Sequence, residues 1–207
     1  MRVCLSTAYL PPIEYFDCLL KSDEAFVEQY EHYQKQTYRN RCTIASSEGR
    51  QDLTIPVVKP DTPDIPIKDI RVSNHGNWRH LHWNALCSAY NHTPYFEYYR
   101  DDFLPFYEKK WDFLIDYNEE LIALVCSLMN VFPRISRTSV YEKVVPADCV
   151  DMRTLICPKN GPGKSVFSFE VKPYYQVFAD KNGFFENLSV VDLLFNMGPE
   201  SVFYVGL

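Results

Sequence analysis

Apolar residues recur along the chain with two different periods, and the period predicts which segments are strands and which are helices. Ile70 to Val72 alternates apolar, polar and apolar residues, as a pleated strand does. After the turn-forming residues Ser73 to Asn77, apolar residues return at helical spacing at Trp78, Leu81, Ala85, Leu86 and Ala89. This pattern predicts a strand, a turn and a helix with Asn77 as its N-cap. We expect His82 within the buried face of that helix and His80 on the opposite side.

The first thirty residues predict a strand, a loop and a helix, followed by a second strand. Val3 to Ser6 is the first strand, and the helix runs from the prolines at positions 11 and 12 to Lys21. Tyr9 lies in the loop between them. Such loops often hold ligands in open α/β sheets, although a simple helix start explains the same residues equally well. Ala25 to Val27 is the second strand.

Two segments further along have the composition of a β-hairpin. Tyr38 to Ala45 and Asp52 to Val58 are the predicted arms. Ser46 to Arg50 is the turn, in which Gly49 can adopt a positive φ. Lys59 to Pro66 is rich in proline and is predicted to be a loop.

Helices dominate the middle of the chain, and weaker strand signals follow them. Pro94 begins a helix that runs through Phe106, and Asn118 is the predicted N-cap of the next helix. The apolar stripe of that helix consists of Leu121, Leu124, Val125 and Leu128. Ser189 is predicted to cap a last helix that Gly198 and Pro199 end. Strands are predicted at Thr138 to Val145, Met152 to Cys157, Tyr174 to Phe178 and Val202 to Val205.

These elements predict one domain over residues 1–207, of the α/β class, with a mixed sheet flanked by helices. An α+β arrangement is the alternative. Hydrophobic residues make up 46% of the chain and aromatic residues 15%, which is enough for a large core rich in aromatic rings. The net charge of −6 argues against nonspecific binding to nucleic acid or to an anionic membrane surface.

The cysteines and the apolar segments indicate a cytoplasmic protein. Seven cysteines, without a CxxC pair, are typical of free thiols in a reducing compartment. The N-terminus is too polar for a secretory signal. Leu121 to Met129, the longest apolar helical stretch, is too short to insert across a membrane.

The histidines and cysteines supply candidates for chemistry but no decisive motif. His75 and His82 flank the start of the predicted helix, where an anion could bind. We expect no metal site, because His80 and His82 are two residues apart and point away from each other on a helix. Cys18 or Cys87 could pair with a histidine as a nucleophile, although buried structural thiols are the more common outcome.

A basic cluster precedes the hairpin. Lys35, Arg39 and Arg41 are interleaved with tyrosines in YQKQTYRNR and could hold a phosphate or a carboxylate. The alternative is a solvated edge strand that is protected by its charges. The loop Lys159 to Lys164, KNGPGK, lacks the spacing of a phosphate-binding loop.

Several ordered blocks of the chain resemble the WbqC-like protein family. They are STAYLPPIEYF near the start, YQKQTYRNRCTI and LTIPV in the hairpin region, the Tyr90 to Phe96 run, and ENLSVVDLLFNMGPES near the end. The start departs from the Gln-Pro of other members, with Ser6 and Thr7 in its place. The resemblance nominates Tyr9, Lys35, Asn40, Arg41, Trp78, His82, Tyr95, Asn187, Ser189 and Asp192 as motif residues.

What the resemblance implies is a role in the synthesis of O-antigen or another surface polysaccharide, since some members are associated with such gene clusters and a glycine transferase role has been suggested. The leading hypothesis is a transferase that moves an aminoacyl, glycyl or acyl group onto a sugar. Lys35 and Arg41 would bind an anionic small-molecule donor, and His82 or His75 would be the general base. Tyr9, Asn40, Trp78 and Tyr95 are the other predicted substrate contacts. No cofactor, donor or oligomeric state follows from the sequence.

Two further hypotheses belong to other classes of protein. The first is a non-catalytic binding or scaffold protein with an exposed aromatic surface at Tyr95, Tyr98 and Tyr99. The second is a cysteine-dependent hydrolase, which requires an activated thiol within reach of a histidine.

Overall fold

Four parallel strands form the central sheet of the protein. A computed structural model describes residues 1–59, 62, 64–161, 163, 169–170 and 172–206. β1 (Arg2–Ser6) lies at the centre, between β2 (Glu24–Glu28) and β6 (Cys149–Asp151), and β5 (Ile135–Arg137) pairs with the outer side of β2. The carboxyl ends of all four strands therefore lie at the same edge of the sheet.

The remaining elements are a separate antiparallel hairpin and six α-helices among the described residues. The hairpin consists of β3 (Arg41–Ser46) and β4 (Gly49–Thr54). The helices are α1 (Ile13–Lys21), α2 (Trp78–Tyr90), α3 (Phe96–Glu108), α4 (Leu114–Leu128), α5 (Ala179–Asn182) and α6 (Val190–Met197). Short 3-10 helices cover Ile67–Asp69 and Gly198–Tyr204. The predicted α/β class, with a mixed sheet flanked by helices, is confirmed.

The two faces of the parallel sheet are covered differently. Val3, Leu5 and Ala25 face the main core, which also holds Phe16 of α1. The opposite face carries Cys4 and Phe26, and the irregular segment 138–146 passes over it. A cavity of about 220 Å³ remains between that segment, which we call the strap, and the sheet.

The loop between β1 and α1 is hydrogen-bonded to segments that are remote in the sequence. Its backbone is buried, and it receives hydrogen bonds from remote segments. The Ser189 hydroxyl donates to the Leu10 carbonyl at 2.7 Å, and the Val190 N–H donates to the Pro11 carbonyl at 2.8 Å. The N–H of Tyr9 donates to the Tyr38 carbonyl at 2.8 Å. These bonds hold Leu10 at a φ of +39°, which is uncommon outside glycine.

Most predicted elements of the first half are confirmed. On α2, Trp78, His82, Leu86 and Ala89 are buried as predicted, whereas Leu81 is 63% exposed. The buried stripe passes through Trp78, His82, Leu86 and Tyr90. These residues follow each other at intervals of four and so form one narrow row. Asn77 precedes the helix as predicted, but its side chain makes no capping hydrogen bond.

The strand predicted at Ile70 to Val72 does not form a continuous β-ladder, so this prediction is wrong. Arg71 and Val72 form isolated bridges to two different partners, Phe113 and Val57. Because no single strand of the described residues runs alongside this segment, a longer ladder does not form there.

The start of α4 is another correction. The helix begins at Leu114, and Asn118 lies inside it, fully buried. The Asn118 amide donates to the Thr7 hydroxyl at 3.0 Å and to the Arg39 carbonyl at 2.8 Å. Asn118, which was predicted to be an N-cap, therefore makes tertiary contacts instead.

The strands predicted in the last third are also wrong in position. β5 precedes the segment predicted at Thr138 to Val145, and β6 precedes that at Met152 to Cys157. Tyr174 to Phe178 forms no strand, and Val202 to Val205 lies mostly in a 3-10 helix that Pro199 favours at its start. Parts of the predicted loops at 59–66 and 159–164 lie outside the described residues. No helix of the described chain is long and apolar enough to cross a membrane.

Gly198 ends α6 at a position where a side chain would strain the backbone and collide with the Tyr95 ring. Its φ is +57°, and a Cβ atom there would lie 2.4 Å from the Tyr95 ring. We expect Gly198→Ala to lower the free energy of unfolding by about 3 kcal/mol, from backbone strain and from the displaced ring. Urea unfolding of the variant measures this loss.

Gly76 is the matched control, because its φ is +70° but a Cβ atom there meets no neighbour within 4 Å. Gly76→Ala should lose only about 1 kcal/mol. Equal losses in the two variants would contradict the role of the Tyr95 ring.

Candidate functional site

Buried charged side chains meet at the carboxyl ends of the parallel strands. Glu28 ends β2, while Asp151 ends β6 and Arg153 follows it. Glu31 and Arg39 come from the segment that joins β2 to the hairpin. We call these five residues the edge cluster. Apart from the partly exposed Asp151, each is at most 7% exposed, which is rare for charged residues.

Arg39 joins two parts of the edge cluster. Its Nε and Nη2 atoms donate to the two carboxylate oxygens of Glu31, at 2.8 and 2.6 Å. Nη2 also donates to the Ser6 hydroxyl at 2.8 Å, and that hydroxyl donates to the Arg153 carbonyl at 3.0 Å. The bidentate geometry fixes the guanidinium in one plane.

Arg153 is held in the same way by its own strand. Nε and Nη2 donate to the two oxygens of Asp151, at 2.8 and 2.6 Å. Nη1 lies 3.4 Å from Oε2 of Glu28 and donates to the Glu142 carbonyl of the strap at 2.9 Å. These hydrogen bonds from Arg153 lower the pKa of the Asp151 carboxyl.

Glu28 connects the edge cluster to the cavity below the strap. Its Oε1 atom accepts from the Thr138 hydroxyl at 2.9 Å and from the Tyr30 N–H at 2.8 Å. Glu28 and Thr138 line the cavity of about 220 Å³, together with Arg2 and Arg137. The cavity runs along the sheet from Arg2, at the start of β1, to Glu28, at the end of β2. It therefore reaches the carboxyl edge, where open α/β sheets bind ligands.

A second buried group surrounds Tyr9, in the loop after β1. The Tyr9 hydroxyl is hydrogen-bonded to Nδ1 of His82 at 3.0 Å and to the Tyr107 hydroxyl at 3.1 Å. Trp78 meets the His82 ring edge-on, and Tyr117 stacks on Tyr9. Burial lowers the pKa of the His82 imidazole to about 4, so that the ring is neutral at pH 7.

The structure brings three of the predicted site residues together, namely Tyr9, Trp78 and His82. The other five lie outside this aromatic group. Lys35 and His75 are exposed. Arg41 contacts Asp52 and Thr54 across the hairpin, at 3.3 and 3.2 Å.

Asn40 and Tyr95 are held by packing. The Asn40 amide donates to the Ile55 carbonyl at 2.8 Å, and its Oδ1 atom is buried and accepts no hydrogen bond from the described residues. Tyr95 is half-buried against Gly198, and its ring stacks on Tyr99.

The motif residues near the C-terminus make contacts inside the protein. The Asp192 carboxylate accepts from the hydroxyls of Tyr174 and Tyr90, at 2.7 and 2.8 Å. Burial raises the pKa of this carboxyl to about 6 despite those hydrogen bonds. Asn187 accepts from the Glu14 N–H at 2.9 Å, and Ser189 caps α6 as predicted.

The cysteine candidates show no sign of activation. Cys18 is buried in the core, and burial raises the pKa of the Cys87 thiol. An activated nucleophile requires the opposite shift. Among the residues that the structure describes, no three His, Cys, Asp or Glu side chains are grouped as ligands of one metal ion.

Sequence reasoning missed most of the edge cluster. Arg39 was part of the basic cluster, but the predicted donor ligands are its neighbours Lys35 and Arg41. Glu28 and Asp151 carry a usable signal, because each is an acidic residue at the end of a short apolar strand. In a parallel sheet such residues are brought to one edge.

Comparisons with known proteins support one family. The model of the WbqC-like protein family matches residues 7–166, which include the edge cluster and the residues around Tyr9. The chain is also 26% identical, over 220 aligned positions, to a Mycobacterium tuberculosis protein named "Uncharacterized protein Rv1507c". That alignment covers 95% of this chain and 94% of the relative. No solved structure matches the chain.

His82 and Asp192 affect the pH dependence of stability in opposite directions. Between pH 6.5 and 4 the unfolded chain protonates His82 while the folded protein does not, so the free energy of unfolding falls as pH falls. Between pH 6 and 3.8 the folded protein retains a proton on Asp192 that the unfolded chain releases, so the free energy of unfolding rises as pH falls. Each effect corresponds to about 3 kcal/mol.

Asp192→Asn should therefore remove the increase in the free energy of unfolding that Asp192 contributes as the pH falls. We expect the free energy of unfolding of this variant to fall by about 2 kcal/mol more than that of the wild type between pH 6 and pH 4. Urea unfolding at pH 4, 5, 6 and 7 measures the two profiles.

Asp180→Asn, at an exposed position on α5, controls for the loss of one carboxylate and should leave the profile unchanged. His82→Gln should change the profile in the opposite direction, because it removes the buried imidazole. An Asp192→Asn profile parallel to that of the wild type would contradict the raised pKa.

Proposed function

The chain belongs to the WbqC-like protein family, and we propose that it is a transferase whose active site lies at the carboxyl edge of its parallel sheet. The observation that carries the proposal is the edge cluster, where Glu28, Arg39 and Arg153 are buried together. Buried ion pairs contribute little net stability compared with apolar packing, so five charged groups at a ligand-binding edge favour a catalytic or binding role.

Arg153 is the proposed ligand of an anionic donor. Its guanidinium is held in a fixed orientation by Asp151, and Nη1 lies beside both Glu28 and the strap. A planar, oriented guanidinium is suited to a phosphate or a carboxylate. Arg2 and Arg137 also line the adjoining cavity, each in an ion pair with an acidic residue.

Glu28 is the proposed general base. It lines the cavity, and its Oε2 atom has a long contact of 3.4 Å with Arg153, so that this oxygen is the more available of the two. In the proposed step, the hydroxyl oxygen of a sugar bonds to the carbonyl carbon of the donor, and the bond to the donor's leaving group breaks. The hydroxyl proton passes to Glu28 and from there to the leaving group.

His82 has a positioning role in this proposal. Its neutral ring is hydrogen-bonded to Tyr9, which lies in the loop directly after β1. The alternative assignment from the sequence makes His82 or His75 the base, with Tyr9, Asn40, Trp78 and Tyr95 as substrate contacts. The setting in the synthesis of O-antigen or another surface polysaccharide, with a glycyl, aminoacyl or acyl group transferred, comes from the family resemblance alone.

A non-catalytic binding protein is the second candidate function. Tyr98 is 77% exposed, and the half-buried Tyr95 lies next to it and stacks on Tyr99. Tyrosine is enriched where proteins bind partners. If the donor panel described below gave no stabilisation while Tyr98→Ala weakened binding of a partner, this second candidate would replace the transferase.

A thermal-shift panel of nucleotides, nucleotide sugars, acyl-coenzyme A and amino acids tests for a donor. A ligand at a hundred times its Kd stabilises the folded state by about 2.7 kcal/mol, which raises Tm by about 5 to 10 °C for a chain of this size. We expect Arg153→Lys to weaken donor binding at least tenfold, because lysine cannot form the bidentate contact with Asp151 that orients the guanidinium group.

Arg41→Lys is the matched control, since Arg41 also pairs with an aspartate but lies on the outer face of the hairpin. The proposal requires this variant to retain donor binding. If Lys35 and Arg41 bind the donor, as the sequence predicted, Arg41→Lys should instead lose donor binding. Loss of binding in Arg41→Lys and Lys35→Ala, with Arg153→Lys unaffected, would overturn the edge-cluster site.

A further inference from the structure

A cleft separates α4 from the edge of the parallel sheet. It has a volume of about 420 Å³ and opens beside β5. Its walls are mainly apolar and come from α1, β2, α4 and β5, with Leu19, Val27, Ile122, Ala123, Phe132 and Ile135 among them. At the opening, Phe132 is 81% exposed and Ile135 is 38% exposed. Apolar side chains of a helix and a sheet normally close against each other, so this cleft is an open gap in the packing between α4 and the sheet.

The apolar walls of the cleft favour a ligand that has no hydrogen-bonding groups along its length. Because α4 runs antiparallel to β5, Glu119 and Arg137 lie at one end of the cleft and Ser127 lies at the other. A peptide placed here would bury N–H and C=O groups between apolar walls, which is costly without partners. An aliphatic chain meets no such cost.

At the charged end of the cleft, negative side chains outnumber positive ones, which favours a ligand with an uncharged head group. The Arg137 guanidinium donates to both oxygens of Glu119, at 2.8 and 2.6 Å, and to Asp116 at 2.5 Å. One positive charge is thus already balanced by two carboxylates. An anionic head group would meet a surplus of negative charge, whereas an ester or a thioester would not.

The same end of the cleft adjoins the edge cluster. Arg137 also lines the cavity that contains Glu28. The Tyr15 ring lines the cleft, and its hydroxyl donates to the Ser6 carbonyl at 3.0 Å, next to Arg39 and Arg153. A head group that leaves the cleft at Arg137 therefore arrives at the carboxyl edge of the sheet.

We propose that this cleft binds the aliphatic chain of an acyl ester or acyl thioester and presents its carbonyl group to the edge cluster. The proposal rests on the proposed transferase function and names its donor class as a fatty acyl donor. It assigns chain recognition to the gap between α4 and β5, and chemistry to Glu28.

Displacement of the uncharged probe N-phenyl-1-naphthylamine measures binding of methyl esters from hexanoate to dodecanoate, each below its solubility limit. We expect the affinity to rise about fourfold with each added methylene group until the cleft is filled. The matched free carboxylates at pH 7.5 should bind at least tenfold more weakly than the esters of equal chain length.

Ala123→Trp should abolish the dependence on chain length, because position 123 is exposed and lines the cleft. Ser88→Trp, an exposed position on α2 away from the cleft, should bind like the wild type. Equal Tm values for the two variants verify that the fold is retained. If the Tm of Ala123→Trp falls, Ser127→Trp, at the far end of the cleft, replaces it.

The proposal is overturned if affinity does not depend on chain length, if esters and carboxylates bind alike, or if Ala123→Trp and Ser127→Trp leave ester binding unchanged. Arg153→Lys separates this proposal from the proposed function. We expect that variant to bind methyl esters normally while it loses the anionic donor. Ester binding in a protein that responds to no donor in the panel would support the cleft and count against the transferase.

Discussion

The fold depends on the hydrogen bonding of one buried loop, residues 7–12 between β1 and α1. Backbone groups removed from water must find partners, and this loop lies too deep for solvent to supply them. Its partners come from remote parts of the chain. Tyr38 accepts from the loop, and Ser189 and Val190 donate to it. The loop therefore fixes the position of the hairpin segment and of α6 at once, and it places Tyr9 against His82. Ser6, the last residue of β1 before the loop, is hydrogen-bonded to Arg39 and Arg153.

The two buried polar groups that flank this loop have different physical characters. The edge cluster consists of ionised groups in fixed pairs, with Arg39 on Glu31 and Arg153 on Asp151. The group around Tyr9 is electrically neutral, because burial keeps His82 unprotonated. Charge at the sheet edge can bind and polarise a ligand, whereas the neutral group holds the loop in place. The cleft beside β5 adds an apolar surface next to the charged one.

Local patterns in the sequence predicted the elements whose residues pack against near neighbours. The strand β1, the helix α1 and the hairpin all follow from spacing and turn chemistry. The pattern failed where a side chain bonds across the fold. Asn118 has the composition of a helix cap but reaches Thr7, over a hundred positions away in the chain. Leu81 has the apolar character of a core residue, yet the row centred on His82 occupies the interior.

The candidate site was less accessible to prediction than the fold for the same reason. Arg39 and Arg41 are indistinguishable in the sequence, but successive residues of an extended segment point to opposite sides. Only the tertiary position of the sheet edge decides that Arg39 is buried against Glu31 while Arg41 crosses the hairpin toward solvent. Glu28, Asp151 and Arg153 come from three separate places in the chain, and pairing of the strands brings them together.

The bonds between the loop after β1 and the segment at Ser189 also constrain how the protein can be made. The strand β1 and its loop leave the ribosome well before their partners at Ser189 and Val190, because Ser189 lies 179 positions after Leu10 in the chain. Until those residues emerge, the nascent chain has an unsatisfied loop and an incomplete core around it. Contacts so far apart in sequence slow folding and prolong the exposure of apolar surface. A ribosome-bound chain truncated before position 187 should for this reason remain sensitive to proteases.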